Sequence, residues 1–432
     1  MPEHLTVAIL PDADCKVLRF QKLLATVPAN SQTFIKLLKG NHLLEFVSTE
    51  FPEIKEQLRY SVPDNDYSDF IEVRLKARIE EKLKEKIALI PVQDSTGKWG
   101  YIDKTGKLLI PCIYDITTEF HEALACVMDS SRKYGFINKN GKTVIPCIYK
   151  DAHDFSGGLA AVTEDYRHWG FIDKNGNQVI PNIYRRVGDF NDGIAAVEND
   201  SFEMGYINTD GHQVIPFIYK KVKDCQGGMA IVKESDYYGV IDKSGKQMIP
   251  FIYKEIYFND DDLLRVKDTS NKYGFVDRKG NPVIPCIYNT AYTFSEGLSL
   301  VRDASDLYGF IDKKGKQVIP CNYHVLHPFT EGLARVFNQN RFGYIDKKGQ
   351  LKIGYLYRSA GPFSEGLALV QDPKTEKYGY IDKTGKVAIP LIHEEVKDFH
   401  DGIAAVSNNG KWGLIDKLGN LVVPCIYSDI KH

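Results

Sequence analysis

The chain has 432 residues, and its 55 Lys and Arg against 57 Asp and Glu give a net charge of −2. That balance excludes a generally basic nucleic-acid binder while leaving room for a local basic stripe. Hydrophobic residues at 43% and charged residues at 26% exclude wholesale disorder, and 12% aromatics lean toward β structure.

The first residues, Met1-Pro-Glu-His, carry no basic leader, and Leu5–Leu10 is too short for a secretory apolar region. A cytoplasmic protein is therefore expected. No apolar run is long enough to span a bilayer. Cys15–Thr26, Ser31–Lys39, Asn41–Thr49 and Pro52–Tyr60 read as short helices, with Ser31 and Asn41 as caps and Gly40 as a breaker. Ser68 opens a further helix in which Ile71, Leu75, Ile79, Leu83 and Ile87 recur every four residues and charges fill the other faces. Residues 1–86 are expected to form a small α-helical domain that caps the following repeats or docks a partner.

From residue 87 the period changes. An aromatic-Gly step recurs from Trp99-Gly100 to Trp412-Gly413, with Met204-Gly205 filling one slot, so ten units stand 34–36 residues apart. Each unit reads as three strands. Strand A is typified by Gly158–Val162, strand B by Trp169–Asp173 and strand C by Gln178–Pro181. Each looks like a strand with one buried face. Pro closes strand C because it cannot donate to a ladder. An Ile-Tyr pair and a six-residue connector ending in Phe lead to the next unit.

The B–C turn carries Gly in every unit, from Gly106 to Gly419, whereas the residue before it is free, as Thr105 and Leu418 show. That pattern predicts a type I turn followed by one left-handed Gly. The preceding Asp103, Asp173 and Asp416 are expected to accept backbone N–H groups there.

The run Lys98-Trp-Gly-Tyr-Ile-Asp-Lys-Thr-Gly-Lys-Leu-Leu-Ile-Pro111 and its echo Lys411-Trp-Gly-Leu-Ile-Asp416 resemble the bacterial WG-repeat family over about residues 87–432. The resemblance implies a tandem β array joined to varied partner domains, and it implies little about activity. An association with bacterial conflict or signalling modules is a family analogy only. Some units depart from the pattern. Only Trp99, Trp169 and Trp412 are Trp, Phe258-Asn-Asp-Asp-Asp-Leu263 replaces the usual strand A entry, and Gly354 stands where Pro is expected. The expected architecture is mainly β: ten three-stranded repeats in an open solenoid or superhelix after a helical head. A closed propeller-like ring is the alternative, set second because propeller blades usually have four strands in about 40–50 residues.

Chemistry is not nominated anywhere. Cys112, Cys147, Cys286, Cys321 and Cys425 share a slot after the strand C Pro with Phe217, Phe251, Leu391 and Asn182, which marks a packing position. Gly141-Lys142-Thr143 mimics the end of a phosphate loop but lies in a hairpin turn. His324 and His327 lack a supporting carboxylate, and Asn259–Asp262 lacks the spacing of a calcium loop. No catalytic residue, cofactor or metal is expected.

In a repeat array the varying positions carry function. The residue after the connector Tyr is Lys150, Arg185, Lys220 and Lys254 in successive units, reinforced by Arg186, Lys221 and Lys223. Lys150, Arg185, Arg186, Lys220, Lys221 and Lys254 are the candidate binding residues, set against nearby Asp151, Asp189, Asp224 and Glu255. The recurrent Lys104, Lys139, Lys174, Lys243 and Lys313 of the B–C turn are assigned to solubility and turn formation. The expected function is a non-enzymatic scaffold that presents an extended surface to a protein partner. The alternative is a polymer ligand: nucleic acid or another acidic ligand on the basic stripe, or glycan stacked on Tyr237, Tyr257, Tyr292, Trp169 and Trp412.

Overall fold

A computed structural model describes residues 88–223, 225–258 and 262–431, together with seven backbone strands between residues 4 and 73. The chain divides into two compact units, Met1–Ile87 and Ala88–His432.

The first unit corrects the expected helices. Cys15–Arg19, Lys22–Val27, Gly40–Ser48 and Lys55–Val62 form a four-stranded sheet, and His4–Pro11, Thr33–Leu38 and Asp69–Val73 a three-stranded one. Runs such as His42-Leu-Leu-Glu-Phe-Val47 carry enough β-branched and aromatic residues to pair as strands, and strand partners distant in sequence override their short helical periodicity. The helix expected after Ser68 begins instead with the strand Asp69–Val73, which pairs in parallel with His4–Pro11. Residues 74–87 lie outside the described residues.

The second unit is ten four-stranded antiparallel sheets, each one blade. Strands A, B and C fall where the repeat places them. The connector, read as coil, supplies a fourth strand: in blade 3, Asp151–Ala152 pairs with Leu159–Thr163, ahead of Trp169–Asp173 and Gln178–Tyr184. In blade 3 it is two residues long, too short to leave an alternating pattern, whereas Thr290–Ser295 of blade 7 reaches six. Strand C also runs past its Pro to the Tyr, bulging around the proline.

The blades form a closed ring, not an open solenoid. The final strand Asp429–Ile430 pairs with Ile90–Gln93 and completes the sheet of blade 1. Ser428 N and Lys431 N donate to Gln93 O and Pro91 O at 2.7 and 3.0 Å.

Core clusters lie between neighbouring blades. Leu124, Phe136, Ile145 and Tyr149 of blade 2 pack on Phe155, Ala160, Val162 and Ile172 of blade 3. The closing interface is built alike, with Ile90, Val92, Ile102 and Ile430 against Ile403, Ala405, Leu414 and Val423. Strands A and B are therefore buried on both faces rather than on one, as Leu159–Thr163 is throughout. A blade that packs on two neighbours has no solvent face, and a closed ring leaves no end blade exposed.

Two glycines per repeat answer separate steric demands. At Gly135 an added Cβ would meet Ile145 O at 2.6 Å and Cys147 N at 2.7 Å, because the bulged strand C presses onto the aromatic-Gly step. At the B–C turn Gly141 has φ +75, and the turn is as expected: in blade 1, Asp103 Oδ1 accepts from Thr105 N and Lys107 N at 2.8 and 3.1 Å. The strand C Pro blunts an edge that would otherwise invite pairing between molecules.

Candidate functional site

Four antiparallel strands per blade put two kinds of loop at opposite ends of the ring. One end holds the turn before strand A and the B–C turn. The other holds the A–B turn and the crossover from each strand C to the next blade.

The first end is occupied by contacts between blades. Glu365 of blade 9 accepts from Gly402 N of blade 10 at 3.0 Å and pairs with Lys417 of the same blade at 2.9 Å. Lys174–Glu122 at 2.9 Å, Lys347–Glu296 at 3.0 Å and Lys383–Glu331 at 3.0 Å repeat the clasp. Lys104–Asp401 at 3.2 Å extends it across the closure, and Lys243 donates to Asp192 O. The B–C turn lysines are thus ties between blades, a correction to the solubility role assigned to Lys104, Lys174 and Lys243. Lys139 and Lys313 also have partners.

The crossover end carries the candidate cations. Lys150, Arg185, Lys220 and Lys254 each begin a crossover, and Arg186 and Lys221 open the strands that follow. Arg185 and Arg186 reach the buried carboxylate of Glu198 at 3.7 and 3.9 Å. Lys254 donates to Asn271 Oδ1 at 3.1 Å. Lys220 and Lys221 are exposed and make no ion pair among the described residues.

Between blades 2 and 3 this end opens into a cavity of about 460 Å³. Lys150, Arg132, Tyr134, Tyr166, Asp115 and Asp151 line it together with Met128. Lys150 Nζ stands 5.4 Å from the Tyr166 ring centre, and in the next blade Arg185 stacks at 4.0 Å on Phe202. Both rings are 63% exposed and sit at hairpin tips with φ +65 and +62, a conformation that bulky side chains rarely adopt. Equivalent tips carry Arg132, Asn271, Asp306 and Glu376. Sequence reading missed Tyr166 and Phe202 because the aromatics it nominated, Tyr237, Tyr257, Tyr292, Trp169 and Trp412, were not drawn from an aligned comparison of the A–B tips. Comparing the A–B tips of successive units would have found them.

The other nominated groups are accounted for. His153 lies 4.8 Å ring to ring from Trp169, and Lys397 stands 5.2 Å over Trp412, so these two Trp are partly covered. Tyr237 and Tyr292 are each 37% exposed, and Tyr257 lies between Lys223 at 4.1 Å and Arg265 at 4.2 Å. The five repeated cysteines are half-buried free thiols, Cys147 placing Sγ 3.9 Å from Val127 O, with burial raising its pKa. His324 is exposed, whereas His327 lies against Phe342 and is pushed down to about 4, first by burial and then by Arg335.

Ten four-stranded sheets closed by the C-terminal strand define a ten-bladed β-propeller. The chain belongs to the WG containing repeat family, whose pattern matches in ten consecutive segments from residues 99–130 to 412–432. No curated protein matches it. Solved structures similar to it include BamB from Moraxella catarrhalis, 13% identical over 61% of this chain and 90% of that one, TM-score 0.34. Another, described as the eukaryotic initiation factor, is 9% identical over 80% and 97%, TM-score 0.48. YCF48 bound to D1 peptide is 10% identical over 50% and 87%, TM-score 0.28.

Proposed function

We propose that the propeller is a non-enzymatic scaffold that binds a protein partner on its crossover end. The observation that carries this reading is the contrast in exposed aromatic tips between the two ends, since both hold ion pairs, Lys98–Asp115 and Arg358–Glu376 lying at the crossover end. At one, acids and lysines are tied pairwise between blades. At the other, exposed Tyr166 and Phe202 stand in strained backbone under Lys150 and Arg185, and Lys220 and Lys221 of the same end pair with no described acid. Local strain kept at exposed aromatic tips is a mark of a recognition surface rather than of packing. Tyr, Phe and Arg, the types of Tyr166, Phe202, Arg132 and Arg185, are also enriched at protein interfaces.

The test is capture from native lysate with the full chain, identified by mass spectrometry. A variant carrying Tyr166→Gly, Lys220→Glu and Lys221→Glu should lose the partner. Lys316→Glu, at the clasp end, should keep it. A partner retained by the first variant, or none on the native chain, overturns the reading.

A further inference from the structure

We infer that the cavity between blades 2 and 3 is a binding site for an acidic, aromatic-bearing peptide segment. The inference rests on the proposed protein-binding role and names the chemistry of what is bound.

The lining has three parts. Arg132 and Lys150 supply positive charge, and neither pairs with a described acid. Tyr134 and Tyr166 supply ring faces. Asp115 and Asp151 supply acceptors. Lys98 already neutralises Asp115, and Asp151 Oδ1 accepts Ala152 N at 2.9 Å. With Asp115 cancelled by Lys98, Arg132 and Lys150 outnumber the remaining charge of Asp151, so the cavity is net cationic, and a carboxylate fits between Arg132 and Lys150 as a charge-assisted acceptor.

Asp151 decides between classes of ligand. A nucleic-acid backbone places a phosphate at every step and brings no backbone N–H to Asp151, whose carboxylate has no cation partner among the described residues and would repel it. A peptide brings N–H donors that the Asp151 carboxylate can accept, and its own carboxylates meet the cations. An aromatic side chain of the peptide covers Tyr166, which the hairpin holds out in solvent. The neighbouring Arg185–Phe202 stack, one crossover along, offers the same pairing of cation and ring to the next acidic residue of an extended segment.

The probe is a fluorescein-labelled peptide of alternating Glu and Tyr, titrated by anisotropy against the full chain at low salt. The Glu/Tyr peptide should bind, and the same peptide with Gln for Glu should not. Arg132→Glu with Lys150→Glu should weaken binding by about tenfold or more, the size of a lost charge-assisted bond. Tyr166→Gly keeps the left-handed tip, so the blade stays folded while the ring is lost, and it too should weaken binding. Lys316→Glu should leave binding unchanged. Equal affinity for the Gln peptide, no response to the double substitution in a variant of unchanged melting temperature, or tighter binding of oligo-dT at the same residues would each overturn the inference. The two readings fail separately: a lysate partner that depends on the crossover end, with no binding of the Glu/Tyr peptide, removes this inference alone.

Discussion

Ile430 pairs with Val92 in the same register that Ala152 makes with Val162 inside blade 3. The last strand of the chain thus stands where every other blade has a strand of its own. Ring closure is a copy of the ordinary blade, with Ile430 fully buried and Lys431 Nζ donating to Thr117 O at 2.7 Å.

Removing residues 428–432 should therefore open the ring. Blade 1 loses its fourth strand, and its core against blade 10 is exposed. The expected result is a lower melting temperature and a larger radius of gyration by solution scattering. Ile430→Ala alone should cost about 2–4 kcal/mol, the range for a buried aliphatic truncated to Ala. A truncated chain with the native radius would show that this strand does not close the ring.

The Gly of the aromatic-Gly step should resist replacement more than the turn Gly. Gly135→Ala forces a Cβ against strand C backbone that cannot swing away, at an expected cost of about 2–3 kcal/mol. Gly141→Ala meets only the Ile110 side chain at 3.3 Å and retains a left-handed φ, so about 1–2 kcal/mol is expected. Urea unfolding of the two variants, compared at equal slope, checks the order.

The tips of blades 3 and 4 should trade stability for binding. Tyr166→Gly relieves a left-handed conformation and should stabilise the chain by up to about 1 kcal/mol, net of the greater freedom Gly has when unfolded. Phe202→Gly should stabilise less, because it also removes the Arg185 stack. Thermal melts read this directly, and unchanged or lowered stability of Tyr166→Gly would show that the tip is not strained.

Two histidines should respond to pH in opposite senses. His153 has its pKa raised, chiefly by the hydrogen bond to Asp189 of the next blade, 3.4 Å away. Its contribution is fully present below the unfolded value near 6.5 and is lost as pH rises through the folded value. His327 is pushed down to about 4, so it is neutral in the folded ring and stability falls as pH drops from about 6.5 toward 4. His327→Tyr, the residue blade 7 holds there as Tyr292, should remove that acid-side loss. Melting temperature against pH for His327→Tyr and His153→Ala separates the two, and parallel profiles would refute the assignment.

The clasps should matter as a set rather than singly. Lys417 holds the pKa of Glu365 below the usual carboxylate range. The contribution of the pair is therefore present above the unfolded pKa and lost as pH falls through the folded one. Because both side chains are partly exposed, a double-mutant cycle on Glu365 and Lys417 should give under about 1 kcal/mol. A coupling well above that would show a desolvated pair.

Strands A, B and C, the ten repeats, and the turn built on Asp103 and Gly106 were legible in the sequence because each rests on local rules. Alternation, a proline and a left-handed glycine act within a few residues, and repetition multiplies the signal. The cation series from Lys150 to Lys254 was legible for the same reason. Four things were decided only by tertiary structure. The two-residue strand Asp151–Ala152 exists because Leu159–Thr163 offers it a partner, and the ring exists because Asp429–Ile430 finds Gln93 and Val92 at the far end of the array. Lys174 and Glu122 became a clasp, and Tyr166 and Lys150 a cavity wall, through the stacking of successive blades. Sequence periodicity records what one segment buries. It does not record which distant segment arrives to bury it, and that meeting determined the closure, the ties and the cavity between blades 2 and 3.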